Sequence, residues 1–396
     1  MKIYEIGTGY TPIPAQVAAA TESVVEELTK AFMAMGQDVE ILDISTQNRA
    51  PNDLPIAEVK VASFFTRSDV QLGVIHKVKR VVYSLALASK LKKILKTTEE
   101  KVVLHFHNQY NLFFFLKTVS ERLWRKKAVI AYTNHNGFWS LPWNESEQIL
   151  HKRYFQEIEA MKRADLVFVL NDCMKENVVT HLAVPAERVI RINDGVNTDL
   201  YRPLTADEIE KTKEAYALSG KKVILQVGSV NENKGQGRSV RLLAPFLKQN
   251  CDLVFAYVGG IVSEKYFEEV KKTAEELGVS DRVQYLGAVS PGEEMNRIYN
   301  MADATIFISK YESFGLVCVE SLSAGVPVLL CSKTLLNFGV GCIECHYSTT
   351  SEIALKIISD KEQRADLSMS ARANAIAHYT WAQIAEDYLK KMQSLY

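Results

Sequence analysis

Short apolar runs alternate with longer amphipathic stretches along nearly the whole chain, the pattern of a parallel sheet wrapped by helices. In the first half, residues 3–7, 39–43, 102–107, 128–132, 166–170 and 188–192 read as strands. Between the first two, Val24, Val25, Leu28, Phe32 and Met35 recur on one face of a helix over 17–35, which stops at Gly36. A stretch rich in turn formers, 194–203, interrupts the alternation. The alternation then restarts, with strands expected at 223–228, 253–259, 283–286, 304–308 and 326–330. Beyond Ser351 the pattern is helical to the end, and 381–395 carries Ile384, Tyr388 and Met392 on one face. The fold class predicted is α/β: two Rossmann-like, doubly wound domains in series, with a boundary near residue 200. Ligands of such sheets sit beyond the carboxyl ends of the strands, so the motifs to weigh follow strands, and two domains in series point to a cleft between them.

A chain of 396 residues, 47 % hydrophobic and 24 % charged, fits two globular domains and excludes a disordered or fibrous protein. Its longest apolar runs fall short of the ~20 residues of a membrane-spanning helix. The start, Lys2-Ile3-Tyr4-Glu5-Ile6, has no secretory pattern, so the expected location is cytoplasmic. Charges balance at 47 against 47, yet residues 60–130 carry 15 Lys or Arg against four Asp or Glu. That stretch suits an anionic membrane surface, with apolar Val81, Val82, Leu85 and Leu87 among the lysines; the alternative is a solvated helix face. It holds no recognisable nucleic-acid module, and no nucleic acid is expected. Cys342-Ile343-Glu344-Cys345-His346 matches a haem-attachment pattern but lacks export or a second ligand pair, and reads as coincidence. His105 and His107 alternate at a strand end with no carboxylate or third histidine at ligand spacing, so they read as hydrogen-bonded histidines at a cleft rim.

The chemistry concentrates after the run 304–308, in Ser309-Lys310-Tyr311-Glu312-Ser313-Phe314-Gly315-Leu316 and onward to Glu320. A helix starting near Phe314 leaves the amides of Phe314, Gly315 and Leu316 as unpaired donors for an anion. Gly315 lets a phosphate approach the backbone. Glu320 then lies about 7–8 Å along the helix axis, at ribose distance from a diphosphate at the helix start. Glu312 meets the distal group.

Two glutamates eight apart in this setting resemble the EX7E signature of retaining glycosyltransferases with the GT-B fold, a family that includes phosphatidylinositol mannosyltransferases and sucrose synthases. Val283-Gln284-Tyr285-Leu286-Gly287-Ala288-Val289, Tyr299-Asn300-Met301-Ala302-Asp303, Asp194-Gly195-Val196-Asn197 and Tyr379-Thr380-Trp381 resemble its flanking segments. The resemblance covers nearly all of the second half and the first half only loosely. It implies an acceptor-side domain over 1–197, a donor domain over 198–378, and a final helix, 379–396, that packs back on the first domain. It implies a nucleotide-sugar donor, a saccharide or lipid-linked acceptor, and no obligatory metal or cofactor.

Carried over by residue, Glu320 binds the donor ribose, and Glu312 contacts the transferred sugar. Gly228, Ser229, Phe314, Gly315, Leu316 and Val289 line the donor site, and Lys234 neutralises leaving-group charge. His135, in Thr133-Asn134-His135-Asn136-Gly137, resembles the family histidine near sugar and acceptor. Gly7 and Gly9 mark the loop that closes over the phosphate, without the usual paired glycines. Ser229 stands where the family usually has Arg, leaving one diphosphate cation missing, a role that Arg238 or Lys310 would have to fill. A nucleotide-sugar epimerase of the same fold and a non-catalytic partner subunit are the alternatives. A dehydrogenase fails because Pro12 and Pro14 follow Gly7-Thr8-Gly9 in place of a third glycine.

Overall fold

The computed structural model describes residues 1–14, 20–62, 64, 74–331, 336–345 and 360–396. The chain divides into two compact units, Met1–Asp194 with Trp381–Tyr396, and Gly195–Thr380.

The first unit holds seven parallel strands: β1 (Lys2–Ile6), β2 (Asp38–Ile44), β3 (Ile56–Val59), β4 (Val102–Phe106), β5 (Ala128–Asn134), β6 (Leu166–Val169) and β7 (Val189–Arg191). Their order across the sheet is β3-β2-β1-β4-β5-β6-β7. The central strands are apolar on both faces because helices cover both sides; Ile3, Leu104, Ile130 and Phe168 are fully buried. Glu5 on β1 and His105 on β4 are register partners, and His105 pairs in register with Ala131 of β5. The helix Ala20–Ala34 buries Val24, Val25, Leu28 and Phe32, and Gly36 follows it at φ +72°. Residues 17–19 of the expected helix lie outside the described residues.

The second unit repeats the plan with β8 (Lys222–Val227), β9 (Leu253–Val258), β10 (Val283–Tyr285), β11 (Ala304–Phe307), β12 (Val328–Leu330) and β13 (Cys342–Glu344), ordered β10-β9-β8-β11-β12-β13. Both sheets follow the doubly wound Rossmann order, with the winding direction reversing beside the first strand of each. Ile224, Leu243, Phe255, Val270, Ile306 and Leu329 form the core between this sheet and its helices. The first helix of the unit, Ala206–Ala215, starts on a capping box in which Thr205 and Glu208 satisfy each other's backbone N–H.

The pattern along the sequence missed β3 and β13. Each is a short edge strand carrying a glutamate, Glu58 or Glu344, so no unbroken apolar run marks it. Of the helical tail expected after Ser351, residues 351–359 lie outside the described residues; Lys361–His378 and Trp381–Gln393 are helical. The second of these buries Trp381, Ile384, Ala385, Tyr388, Leu389 and Met392 in the first unit.

Candidate active site

In the second unit, the loops after β8 and β11 emerge side by side at the switch point, since those strands are neighbours in the sheet. They bring Lys234 and Glu312 together as an ion pair between Lys234 Nζ and Glu312 Oε1. Lys234 is held from behind: its N–H donates to Asn231 Oδ1 at 3.1 Å, and its carbonyl accepts from Gln226 Nε2 at 2.7 Å. The Glu312 loop is tied to the same turn, because Asn233 Nδ2 donates to the Tyr311 carbonyl at 3.1 Å. The pair is therefore fixed by backbone contacts from both loops, with both side chains still partly open to solvent.

The helix that follows runs Leu316–Ser323, two residues later than the sequence suggested, because Gly315 at φ +97° turns the chain into it. Phe314 is buried edge-on to Phe338, at 5.6 Å between ring centroids, so its backbone and not its ring is available to a ligand. Among the described residues, no partner accepts from the amides of Phe314, Gly315 and Leu316. Glu320 is half-buried, its flanks Val319 and Leu322 fully so, while Leu316 and Val317 keep some exposure. Burial raises the Glu320 pKa, and hydrogen bonds from Tyr299 and Tyr201 offset part of the rise. The Tyr299 hydroxyl donates to Glu320 Oε2 at 2.6 Å. Neither tyrosine was singled out in the sequence. Val289 is half-buried in the coil after β10.

Arg238, one candidate for the cation missing at Ser229, commits three of its five guanidinium N–H groups to carbonyls. Its Nη1 donates to Glu232 at 2.8 Å, and its Nη2 donates to Asn233 at 2.9 Å and Ile308 at 2.8 Å. Lys310 is exposed beside the site, its own N–H donating to the Asn233 carbonyl. The Ser229 hydroxyl accepts from Asn231 Nδ2 at 2.9 Å, and Gly228 sits against the Lys234 side chain.

In the first unit the largest departure concerns His105 and His107. They are not at a rim but buried, and a carboxylate does lie between them. Glu5, from the neighbouring strand, accepts from His105 Nδ1 at 2.8 Å on Oε1 and faces His107 Nε2 at 2.7 Å with Oε2. His107 Nδ1 lies 3.0 Å from His135 Nε2, and His105 Nε2 lies 2.7 Å from Thr133 Oγ1. Tyr388 completes the row, its hydroxyl 3.2 Å from Thr133 Oγ1. Glu5, His105 and His107 have the composition of a metal-ligand set, with their ligating atoms within 4.8 Å of one another. All four ring nitrogens of the two histidines face a hydrogen-bonding neighbour, however, which makes the set a closed relay. A glutamate in the middle of Lys2-Ile3-Tyr4-Glu5-Ile6 was the available sequence signal: a charge on a buried strand requires a partner.

Burial alone would raise the Glu5 carboxyl, but the charge and hydrogen bonds of His105 and His107 outweigh it and hold its pKa at about 2. Burial, reinforced by His105, lowers His107 to about 4. Burial also drives His135 well below its ordinary value, aided by His107 and His105. The loop after His135 is pinned by a second buried glutamate, Glu157, which accepts from Tyr132 at 2.6 Å, Asn136 at 2.8 Å and Trp139 at 2.7 Å. Gly7 and Gly9 have a packing reason of their own: a Cβ on either would collide, with Asp43 at 2.6 Å and with the Tyr83 ring at 2.2 Å respectively.

The basic stretch is narrower on the surface than in the sequence. Lys79 is buried and donates to the Tyr10 carbonyl, Leu87 is core, and Arg125 is paired with Glu121. Lys77, Lys92, Lys93 and Lys96 remain exposed on the helix Val74–Thr97, with Val78 and Leu85. Among the described residues, no helix is long and apolar enough to cross a membrane. Cys342 and Cys345 are free thiols, and His346 lies outside the described residues.

Residues 21–200 match the family described as Glycosyltransferase Family 4, and residues 208–335 match glycosyl transferases group 1. Aligned over their full lengths, Anabaena HepE in complex with UDP and glucose gives a TM-score of 0.73 at 18 % identity. The fold is GT-B. Sucrose-phosphate synthase from Thermosynechococcus elongatus gives 0.74 at 18 % identity, over 100 % of this chain and 99 % of that one. In sequence, this GT-B chain is 26 % identical to the D-inositol 3-phosphate glycosyltransferase of Corynebacterium diphtheriae, over 61 % of this chain and 57 % of that protein. An uncharacterized glycosyltransferase of Methanocaldococcus jannaschii is also 26 % identical, over 62 % and 63 %. The chain thus spans about three-fifths of the length of the curated relatives it matches.

Proposed function

We propose that this GT-B protein transfers a sugar from a uridine- or guanosine-diphosphate sugar to an acceptor hydroxyl, with retention at the anomeric carbon. The observation that carries the reading is the Lys234–Glu312 pair at the switch point of the second sheet, beside the open amides of Phe314, Gly315 and Leu316. In this reading the donor ribose is bound by Glu320, itself oriented by Tyr299 and Tyr201. The diphosphate rests on the helix start, with Gly228, Ser229 and Val289 around the nucleotide. Glu312 takes the hydroxyls of the transferred sugar. HepE, which holds UDP and glucose, supports a uridine donor.

The bond from the anomeric carbon to the diphosphate oxygen breaks as the bond to the acceptor oxygen forms on the same face. The acceptor proton leaves on the departing diphosphate. Lys234 and the helix-start amides meet the charge that develops there, so no metal ion is required. To His135 we assign the sugar- or acceptor-binding role that the family resemblance implies. The acceptor is a saccharide or lipid-linked glycan, reached by resting exposed Lys77, Lys92, Lys93 and Lys96 on the anionic inner face of a membrane. Each lysine near such a surface contributes about 1 kcal/mol.

A nucleoside diphosphate at 100 times its Kd stabilises its binding partner by about 2.7 kcal/mol. A melting temperature unmoved by millimolar UDP and GDP would remove the donor site. Product stereochemistry by proton NMR decides retention, and turnover in excess chelator decides the metal. Sedimentation with anionic but not neutral vesicles, reversed by salt, is expected for the membrane contact.

A further inference from the structure

The row of buried polar groups in the first unit has a direction, and its last member, His135, is also the histidine for which the family resemblance implies a place near the substrate. A carboxylate only accepts hydrogen bonds, and a neutral imidazole has one donor and one acceptor nitrogen. Glu5 Oε2 faces His107 Nε2 at 2.7 Å, so that nitrogen carries the proton. His107 Nδ1 is then a lone pair, and it faces His135 Nε2 at 3.0 Å, which must therefore be the donor. Neutral His135 has only one proton, and this contact uses it. Its Nδ1 has no hydrogen-bond partner among the described residues, and the residue as a whole is half-buried.

We propose that Glu5, acting through His107, fixes His135 in the Nε2–H tautomer and so presents its Nδ1 as an acceptor for a substrate hydroxyl. Glu5 is a positioning residue in this arrangement, and touches no substrate. The consequence for specificity is direct. An unprotonated nitrogen accepts from an O–H and repels a phosphate or carboxylate oxygen, so the group bound beside His135 is a neutral hydroxyl. The other ionisable groups around the row are His105 on β4, Tyr388 on the final helix and Asp194, whose charge acts on Tyr388. The His105 ring lies 4.1 Å from that of His107, but its nitrogens are taken by Glu5 Oε1 and Thr133 Oγ1, so the hydrogen-bond branch from Glu5 Oε2 through His107 to His135 passes through neither His105 nor Tyr388. The lowered pKa values of Glu5 and His107 agree with an ionised carboxylate beside a neutral imidazole.

The catalytic consequence rests on the proposed transfer reaction; the tautomer does not. Long-range proton–nitrogen correlation on the full-length chain reads the tautomer directly, and with eight histidines the spectrum is assignable by His135→Gln. At pH 7 the expected signature is a protonated Nε2 and an unprotonated Nδ1 on His135. A protonated Nδ1, alone or together with Nε2, would overturn the proposal. In Glu5→Leu, His107 Nε2–H loses its acceptor, so the proton moves to Nδ1 and is donated to His135, whose tautomer reverses. An unchanged His135 in that variant also overturns the proposal. If Glu5→Leu does not fold, the wild-type spectrum still decides. In the folded variant turnover should fall roughly tenfold, the scale of one lost hydrogen bond to the substrate, with UDP affinity unchanged. The expected tautomer in a protein that transfers no sugar would sink the proposed function and leave the relay standing.

Discussion

Replacing Gly259 with alanine tests how closely the two strand ends that carry the donor-side loop approach each other. Gly259 follows β9 at φ +144°, and a Cβ there would lie 2.3 Å from the Gly228 carbonyl oxygen and 2.6 Å from its carbon. Both are backbone atoms, so no side chain can rotate away. The backbone conformation costs an alanine about 1–3 kcal/mol, and forcing the two strands apart costs about 1–3 kcal/mol more. For a domain of about 150–250 residues each kcal/mol lowers Tm by about 2–4 °C, so a fall of at least about 4 °C is expected. Gly228 moves with the collision, and with it the Lys234 turn, so UDP affinity should fall beyond what instability explains. Gly260→Ala is the control: a Cβ there meets nothing within 4 Å, and its effect should stay within about 0.5 kcal/mol. Calorimetry of the three proteins, each titrated with UDP, gives both readouts. A Gly259→Ala protein that melts with the wild type would refute the close approach.

Lys234→Ala should lower turnover by ~10²–10³ while Tm changes little, since the residue is partly exposed; normal turnover would transfer the role to Arg238 or Lys310. Burial raises Glu22 from 4.5 to about 7 and Asp194 from 3.8 to about 7. Between pH 4 and 7 these groups hold protons in the folded first unit that the unfolded chain has lost, so stability falls as pH rises through that window. At about 1.4 kcal/mol per pKa unit the upper bound is about 3.5 kcal/mol for Glu22 and about 4.5 for Asp194. Glu5, held at about 2, acts in the opposite sense but only below pH 4.5. His107, lowered to about 4, and His135 act in the opposite sense between about pH 4 and 6.5, so the test is the difference between two proteins: Glu22→Gln with Asp194→Asn should gain Tm relative to the wild type as pH rises from 5 to 7.5, and a constant difference refutes the assignment.

Much of the fold was legible because both faces of these sheets are covered, so strands such as Val102–Phe106 and Leu253–Val258 are unbroken apolar runs. The short edge strands β3 and β13 carry Glu58 and Glu344 in place of such a run, and went unread. The glutamates and Lys234 stood out because they follow strands in a glycine-punctuated loop. Where their atoms go did not. Nothing in the letters around Arg238 says that three carbonyls take up its guanidinium. Likewise Glu5 meets His105 only once the register of β1 on β4 is known, and that register links residues a hundred positions apart.

The chain leaves the first unit at Asp194, completes the second, and returns at Trp381. Both crossings run together, Val196 bridging to Thr380 and donating to the Tyr379 carbonyl at 2.7 Å. A ribosome therefore finishes the second unit while the first still lacks the helix Trp381–Gln393. Until then the surface that Tyr388 covers, its ring 4.5 Å from Phe168 and 5.2 Å from His105, faces water. The usual order, in which the amino-terminal domain matures first, is reversed here: the unit begun first is the last to close, and its buried relay stays wet until synthesis has passed the whole of the other.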